Sequence, residues 1–468
     1  MNKIIAFLLC SLPFLMHAQT FRPEDYGAKV NDGKDDSEAF QKMFDDFPSD
    51  SRRVTVELQT GVYNILSTIY YPKYNDRTTL IIGNNATLKA RGFEYDILVP
   101  GSTLPAGASS RKAKLIRGAY RDVAVNQALT DNDRLTIRDV RFEGGKTQLR
   151  MVSTYLSVVE QCQFVGGYRA IDGIFALQTT IRDCWINSFT GEGILLRSGE
   201  SDAITGEPAW FTNATGSNSQ SNICTISNCR VFANVPGTIG IRSYSSSNIT
   251  VENTVIEGAV MKHAIHMDSR KSTTVVSVYL RNIHLEFGGD KSACESLIYL
   301  RGFATAELEN IYSQFAAAPQ VHAKDCARIF VTHWPYYPGG GFVTEYSGRW
   351  WFDNNWNMAA EDYRAPEFWN NGEIPWYVCH RENDAIFEVD HGFNNGLSSN
   401  GSEFGVSDDR IVTNVQSVLN TDFHELDKAI KLDDYDIIQV IPFGMVDENG
   451  KVVTNYIPIL KKKKGKKD

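Results

Sequence analysis

Ile137-Arg138-Asp139-Val140, Val159-Glu160-Gln161-Cys162, Ile181-Arg182-Asp183-Cys184, Ile226-Ser227-Asn228-Cys229, Val251-Glu252-Asn253-Thr254, Leu280-Arg281-Asn282-Ile283 and Leu308-Glu309-Asn310-Ile311 repeat one short pattern. An apolar residue is followed by a polar one, then Asn, Asp or Gln, then an apolar or small residue. The intervals between successive fourth positions are 22, 22, 45, 25, 29 and 28 residues, so one interval holds two units or a large insertion. A period of about 20 to 50 residues marks a solenoid. Short alternating segments separated by Gly and Asn mark its coils as strands rather than helices. In such a fold each coil buries its inward residues only against its neighbours, and equivalent positions stack about 4.8 Å apart.

Stacking explains two columns. Cys162, Cys184 and Cys229 read as an internal column of small apolar side chains, since a free Cys packs like a small hydrophobe; a disulfide between adjacent rungs is the alternative. The third positions, 139, 161, 183, 228, 253, 282 and 310, read as a ladder of polar side chains at a coil corner. There a buried amide can bond the rungs on either side and the turning backbone. That role is structural.

Asp25-Tyr26-Gly27-Ala28-Lys29, then Asp32-Gly33-Lys34-Asp35-Asp36-Ser37 and Ala39-Phe40, resemble the opening of the pectate-lyase-like and polygalacturonase-like β-helix families. Gly61-Val62-Tyr63 and Ile82-Gly83-Asn84-Asn85-Ala86-Thr87-Leu88 resemble the coils that follow it. The resemblance implies an all-β right-handed parallel β-helix with a short N-terminal capping helix, and it implies action on polysaccharide. It is specific for fold and weak for reaction, because a similar opening precedes hydrolases, lyases, epimerases and tail spikes. Ser37 to Phe44 is expected to form the cap over the open end of the solenoid. The acidic residues around it are then cap and turn residues, not catalysts.

The chain starts with Lys3, an apolar stretch from Ile4 to Cys10 and a second one from Leu12 to Met16, ending at His17-Ala18-Gln19. This reads as a secretory signal peptide over residues 1–18, with a lipid anchor on Cys10 as the alternative. The protein is therefore expected to be secreted or periplasmic. The expected organisation is a β-helix over 19–380, a small C-terminal β module over 381–460 and a basic disordered tail over 461–468. The module rests on the apolar runs Ile437 to Pro442, Val452-Val453 and Tyr456 to Ile459. A net charge of −9 with 22% charged residues argues against a general nucleic-acid binder.

Aligning the coils on the following strand gives inward residues Ile171, Ile194, Ile239, Ile265, Ile298 and Val321. Strand alternation then fixes the outward ones. One residue on stand Asp172, Leu195, Gly240, His266, Tyr299 and His322; three residues on stand Ile174, Arg197, Arg242, Asp268, Arg301 and Lys324. Stacked cations repel unless something anionic or solvent faces them. The face reads as a groove for an acidic polysaccharide, with Arg197, Arg242, Arg301, Lys324 and Asp172 as binding residues. The alternative is a solvated face on which Asp268 neutralises Arg242 and Arg301.

Elimination beside a uronate needs a base near neutral pKa, an acid and a cation. His266 or His322 with Tyr299, flanked by the cations and Asp268, supplies all three, since His titrates nearest neutrality. A glycoside hydrolase needs two carboxylates about 5 to 9.5 Å apart. Asp172 and Asp268 lie three rungs apart in this register, roughly 14 Å. Glu192, Glu200, Asp202 and Glu207 keep a hydrolase pair open, although the polygalacturonase signatures are missing from 135–331. A non-catalytic glycan-binding or tail-spike-like protein is the third reading. Trp334, in an aromatic-rich segment that includes Trp350 and Trp351, could wall the groove or plug the last coils. No cofactor is expected; calcium is the alternative, although the dense outward carboxylate cluster that would support it is not seen in the sequence.

Overall fold

The computed structural model describes residues 19–336, apart from 49–52, 73–76, 102–133, 202–208, 211–218, 259, 270–275, 288–292 and 314–317, and beyond 336 mainly the strands named below. The chain divides into two compact units. One comprises Met1–Trp185 with Glu200–Ala214, the other Ile186–Gly199 with Thr215–Asp468. Both are built from parallel coils, and the fold is a right-handed parallel β-helix with few helices.

In the first unit the acid-rich opening is tied into the coils through its carboxylates. Asp36 is 3% exposed and accepts the backbone N–H groups of Lys29 and Asn64, both at 2.9 Å. Asp35 accepts from the Ser37 N–H at 2.9 Å, and Ser37 Oγ accepts from Leu66 and Ser67. These bonds start helix α1, Ser37–Asp45, whose buried Phe40, Met43 and Phe44 lie over the coil end. Phe40 meets Tyr63 edge-on at 5.2 Å and Phe44 meets Tyr71 at 5.2 Å, so the cap covers what would otherwise be an open apolar edge.

One wall of this unit consists of β1 (Ile69–Pro72), β2 (Leu98–Gly101), β3 (Thr147–Val152) and β4 (Arg169–Ile174), paired in parallel. Ile69, Leu98, Leu149 and Ile171 form its inward column, and all four are buried. On another wall Thr78–Ala90 pairs with Arg134–Glu143. Gly83 is required there, because a Cβ would stand 1.9 Å from the Asp139 carbonyl oxygen.

The second unit presents β5 (Glu192–Arg197), β6 (Ile239–Tyr244), β7 (His263–Asp268), β8 (Ile298–Arg301), β9 (Val321–Lys324) and β10 (Phe342–Glu345), each parallel to the next. The inward column is Ile194, Ile241, Ile265, Ile298, Val321 and Phe342, at most 1% exposed. Each such side chain contributes about 1.5 to 3 kcal/mol by burial, which is why an apolar residue must recur once per coil.

This register corrects the sequence alignment at one coil. Ile241, not Ile239, pairs with Ile194 and Ile265. The slip is two residues, so the outward set stays outward; period-2 alternation separates odd from even positions but not two candidates of the same parity. Arg242 therefore lies opposite His266, and Tyr244 takes the place expected for Arg242 beside Asp268.

The polar corner column has a backbone cause. Asp139, Gln161 and Asp183 in the first unit, and Asn228, Asn253, Asn282 and Asn310 in the second, all have φ between 49° and 58°. Short polar side chains, Asn and Asp above all, tolerate that left-handed conformation. In the second unit they also bond along the column: Asn282 Nδ2 donates to Asn253 Oδ1 at 3.1 Å, and Asn310 Nδ2 donates to Asn282 Oδ1 at 2.8 Å. These bonds are exposed, not buried as the sequence suggested. Cys162, Cys184 and Cys229 are buried free thiols, so the disulfide alternative is not adopted.

Later strands extend the second unit. Trp376–Arg381 pairs in parallel with Arg349–Asp353, and Asp384–His391 pairs antiparallel with Trp376–Arg381. Tyr435–Val446 and Val452–Lys462 form an antiparallel pair, so the last strand includes Lys461 and Lys462 of the basic tail. Residues 1–18, which carry the signal-peptide reading, lie outside the described residues.

Candidate functional site

The chemistry-bearing residues of the second unit come together on the outward side of β6 to β10. Arg242, His266, Tyr299 and His322 occupy successive rungs of one column. Tyr244, Asp268, Arg301, Lys324 and Glu345 occupy the column two residues on. Parallel pairing brings residues 23 to 33 apart in sequence, and Lys324 and Glu345 21 apart, to neighbouring strands, which is how a solenoid assembles a site.

Tyr299 is the centre of this arrangement. Its ring centroid lies 4.7 Å from His266 and 5.1 Å from His322, the latter edge-on. His263, three residues before His266, completes the cluster at 5.0 Å from His266 and 5.7 Å from Tyr299. Burial raises the Tyr299 phenol above its ordinary pKa, so it is a proton donor near neutral pH.

His263 differs from the other two imidazoles. It is 2% exposed, and its Nδ1 faces the Ser296 carbonyl at 2.9 Å and the Ser296 hydroxyl at 3.0 Å. Burial pushes it down to about 4, so it stays neutral and serves as a wall of the cluster. Sequence reading passed over His263, because a spacing of three along a strand assigns it to the face opposite His266; its ring contact with His266 appears only in the structure.

Each cation of the open columns has a carboxylate partner. Arg242 Nη1 is 2.8 Å from Glu192 Oε1, and both are buried. Arg301 Nε is 3.2 Å from Asp325 Oδ2. Glu345 binds Lys324 Nζ through one oxygen and His322 Nε2, at 2.8 Å, through the other. The carboxylate partners of these cations are Glu192, Asp325 and Glu345, supplied by neighbouring strands and a turn, where the sequence offered Asp268 for Arg242 and Arg301. Glu345 stands one coil beyond the last that the sequence reading aligned, with Phe342 repeating the inward positions of Ile298 and Val321.

The face is graded in exposure. Arg197, Tyr244, Arg242 and Asp268 are buried, at most 4% exposed. The side chains of Arg301, His322, Lys324 and Glu345 are 23% to 31% exposed. A ligand approaching the described surface meets Tyr299, Arg301, His322 and Lys324 first. Arg197, expected to bind substrate, is fully buried and presents no surface to one. Arg242, held by Glu192, is likewise withdrawn.

Two further expectations are corrected. Asp172, in the first unit, is fully buried and shared between Arg150 at 3.2 Å and Arg169 at 3.1 Å, while Arg150 also reaches Asp96 at 3.0 Å. This is a closed ion ladder rather than a binding group. Trp334 is fully buried and packs edge-on against Phe342 at 5.8 Å, beside the likewise buried Trp350, so it belongs to the core and not to a groove wall. Glu192 is committed to Arg242, Glu200 is 9% exposed, and Asp202 and Glu207 lie outside the described residues. Among the described residues no helix is long and apolar enough to cross a membrane.

Comparison with known proteins adds the following. Residues 124–280 match the family model described as a right handed beta helix region. No curated protein matches the sequence. Among solved structures the chain is similar to the Agl-KA catalytic domain, at 12% identity over 78% of this chain and 68% of that one, with a TM-score of 0.43. It is similar to the Family 28 exopolygalacturonase of Yersinia enterocolitica, at 12% identity over 73% and 78%, TM-score 0.36. It is also similar to the alginate lyase from Paenibacillus sp. str. FPU-7, at 14% identity over 71% and 95%, TM-score 0.43. The match over residues 124–280 agrees with the coil architecture: the chain carries the right-handed parallel β-helix fold.

Proposed function

We propose that this protein is an exported carbohydrate-active enzyme that cleaves a uronate-bearing polysaccharide by β-elimination. The observation that carries the reading is Tyr299 set between His266 and His322 on adjacent strands. Elimination removes a proton next to a carboxylate and returns one to the leaving oxygen, so it needs a base and an acid side by side. His266 and His322 are the bases available, and Tyr299, kept protonated by burial, is the acid. Arg301 and Lys324, partly exposed on the adjoining column, are placed to meet the uronate carboxylate; Arg301 uses only Nε on Asp325, which leaves its fork of N–H donors for a planar anion. Export is supported by the basic, apolar and small-residue order of the first 18 residues.

The test is the ultraviolet absorbance of newly formed unsaturated uronate across a panel of acidic polysaccharides, beside a reducing-end assay, on wild type, His266→Ala and His322→Ala. Absorbance that rises in wild type and falls when the base is removed is the expected result. Reducing ends without absorbance would replace elimination by hydrolysis. Silence in both assays would sink the enzymatic reading in favour of a glycan-binding protein.

A further inference from the structure

Glu345 lies on β10, one strand beyond the histidine and tyrosine column, and reaches back to it. Its Oε1 is 2.8 Å from His322 Nε2, and its other oxygen takes the Lys324 ammonium. An ionised carboxylate only accepts hydrogen bonds, so the ring nitrogen it faces must carry the hydrogen. Lys324, with His322 next, holds the Glu345 carboxyl below its usual range, which keeps it an acceptor. His263 shows the opposite arrangement: its Nδ1 faces the Ser296 carbonyl, so there Nδ1 carries the hydrogen. Two imidazoles of one cluster are thus held in opposite tautomers by different partners.

We propose that Glu345 is a positioning residue for His322: it fixes the Nε2–H tautomer and leaves Nδ1 as the proton acceptor of the reaction. This rests on the elimination reading above. In the step, the proton beside the uronate carboxylate passes to His322 Nδ1. Its electron pair forms the new C=C bond, and the C–O bond to the leaving sugar breaks as that oxygen takes the Tyr299 hydroxyl proton. Imidazolium and phenolate then exchange the proton back, restoring both groups. The carboxylate of Glu345 also stabilises the imidazolium formed, through the same Nε2–H contact, as orienting carboxylates do for catalytic histidines. The charged and titratable groups around His322 are Glu345 on β10, Lys324 on its own strand, and Tyr299 and His263 on the other side.

The test uses the full chain with ¹⁵N-labelled histidine and imidazole correlation spectra, His322 being identified by the resonance lost in His322→Gln. Wild type is expected to show His322 as the Nε2–H tautomer. Glu345→Ala should release it to a mixture and lower kcat about tenfold or more with KM little changed, the size expected for a misplaced general base. Glu345→Gln, whose amide oxygen still accepts from Nε2–H, should keep the tautomer and lose less rate; it also serves if the alanine variant does not fold. An unchanged His322 tautomer in Glu345→Ala overturns the proposal with the elimination reading intact. Absence of unsaturated product from wild type overturns the elimination reading, and the role of Glu345 in it, whatever the spectra show.

Discussion

Tyr299 and His322 stand on adjacent rungs of β8 and β9 with ring centroids 5.1 Å apart and planes at 77°. This edge-on contact sets a raised phenol against an imidazole whose Nε2 is tied to Glu345. Tyr299→Phe keeps the ring packing and removes only the transferable proton. The rate of unsaturated product formation should drop by about 10²- to 10⁴-fold, while thermal unfolding stays close to wild type. A variant that retains most of its activity would show that another group donates the proton.

The buried pair Glu192 and Arg242 is a stability element at the closed end of the site. Removing one partner strands a charge, so Glu192→Ala should cost about 3 to 5 kcal/mol, whereas replacing both with leucine should recover much of that loss. Denaturant midpoints of the single and double variants measure it. If the double variant is as unstable as the two losses summed, the pair is not coupled.

His263 gives the fold an acid sensitivity with a defined direction. Its folded value of about 4 lies below the ordinary 6.5 because burial disfavours the charged ring. Between those values the unfolded chain binds a proton that the folded one refuses, so stability falls as pH drops from about 6.5 to 4. The loss is on the order of 3 kcal/mol, complete once both states are protonated. Unfolding free energy measured across that window should show a steeper slope in wild type than in His263→Phe. Equal slopes would mean that His263 is not buried neutral.

At the coil corner, Asn282 adopts φ 51° and bonds to Asn253 and Asn310. Both Asn282→Gly and Asn282→Val lose the side-chain bonds. Only valine adds the left-handed backbone penalty, on the order of 1 to 2 kcal/mol. Equilibrium unfolding should therefore rank wild type first, glycine second and valine last; valine equal to glycine would remove the backbone explanation for the repeating Asn.

Much of the fold was legible before the structure. Coil spacing, the corner column and the helix over Ser37 to Phe44 follow from local requirements: one buried apolar residue per rung, one left-handed residue per corner, one cap per open end. The site was legible in part. His266, Tyr299, His322, Arg301 and Lys324 were placed on one outward face because alternation decides inside from outside. Their partners were not, because Glu345 stands 23 residues beyond His322 and Glu192 stands 50 before Arg242.

The amino-acid sequence by itself determined that this chain winds into β-coils, which face of each strand points inward, and which imidazoles and phenol share the outward face. Those properties depend on neighbours one or two positions away. Only the tertiary structure decided that Ile241 and not Ile239 holds the rung, that Arg242 is sequestered by Glu192, and that Glu345 turns His322. These depend on how coils of unequal length bring their strands into register. Two isoleucines of equal parity satisfy the local pattern equally well, and only packing against Ile194 and Ile265 separates them.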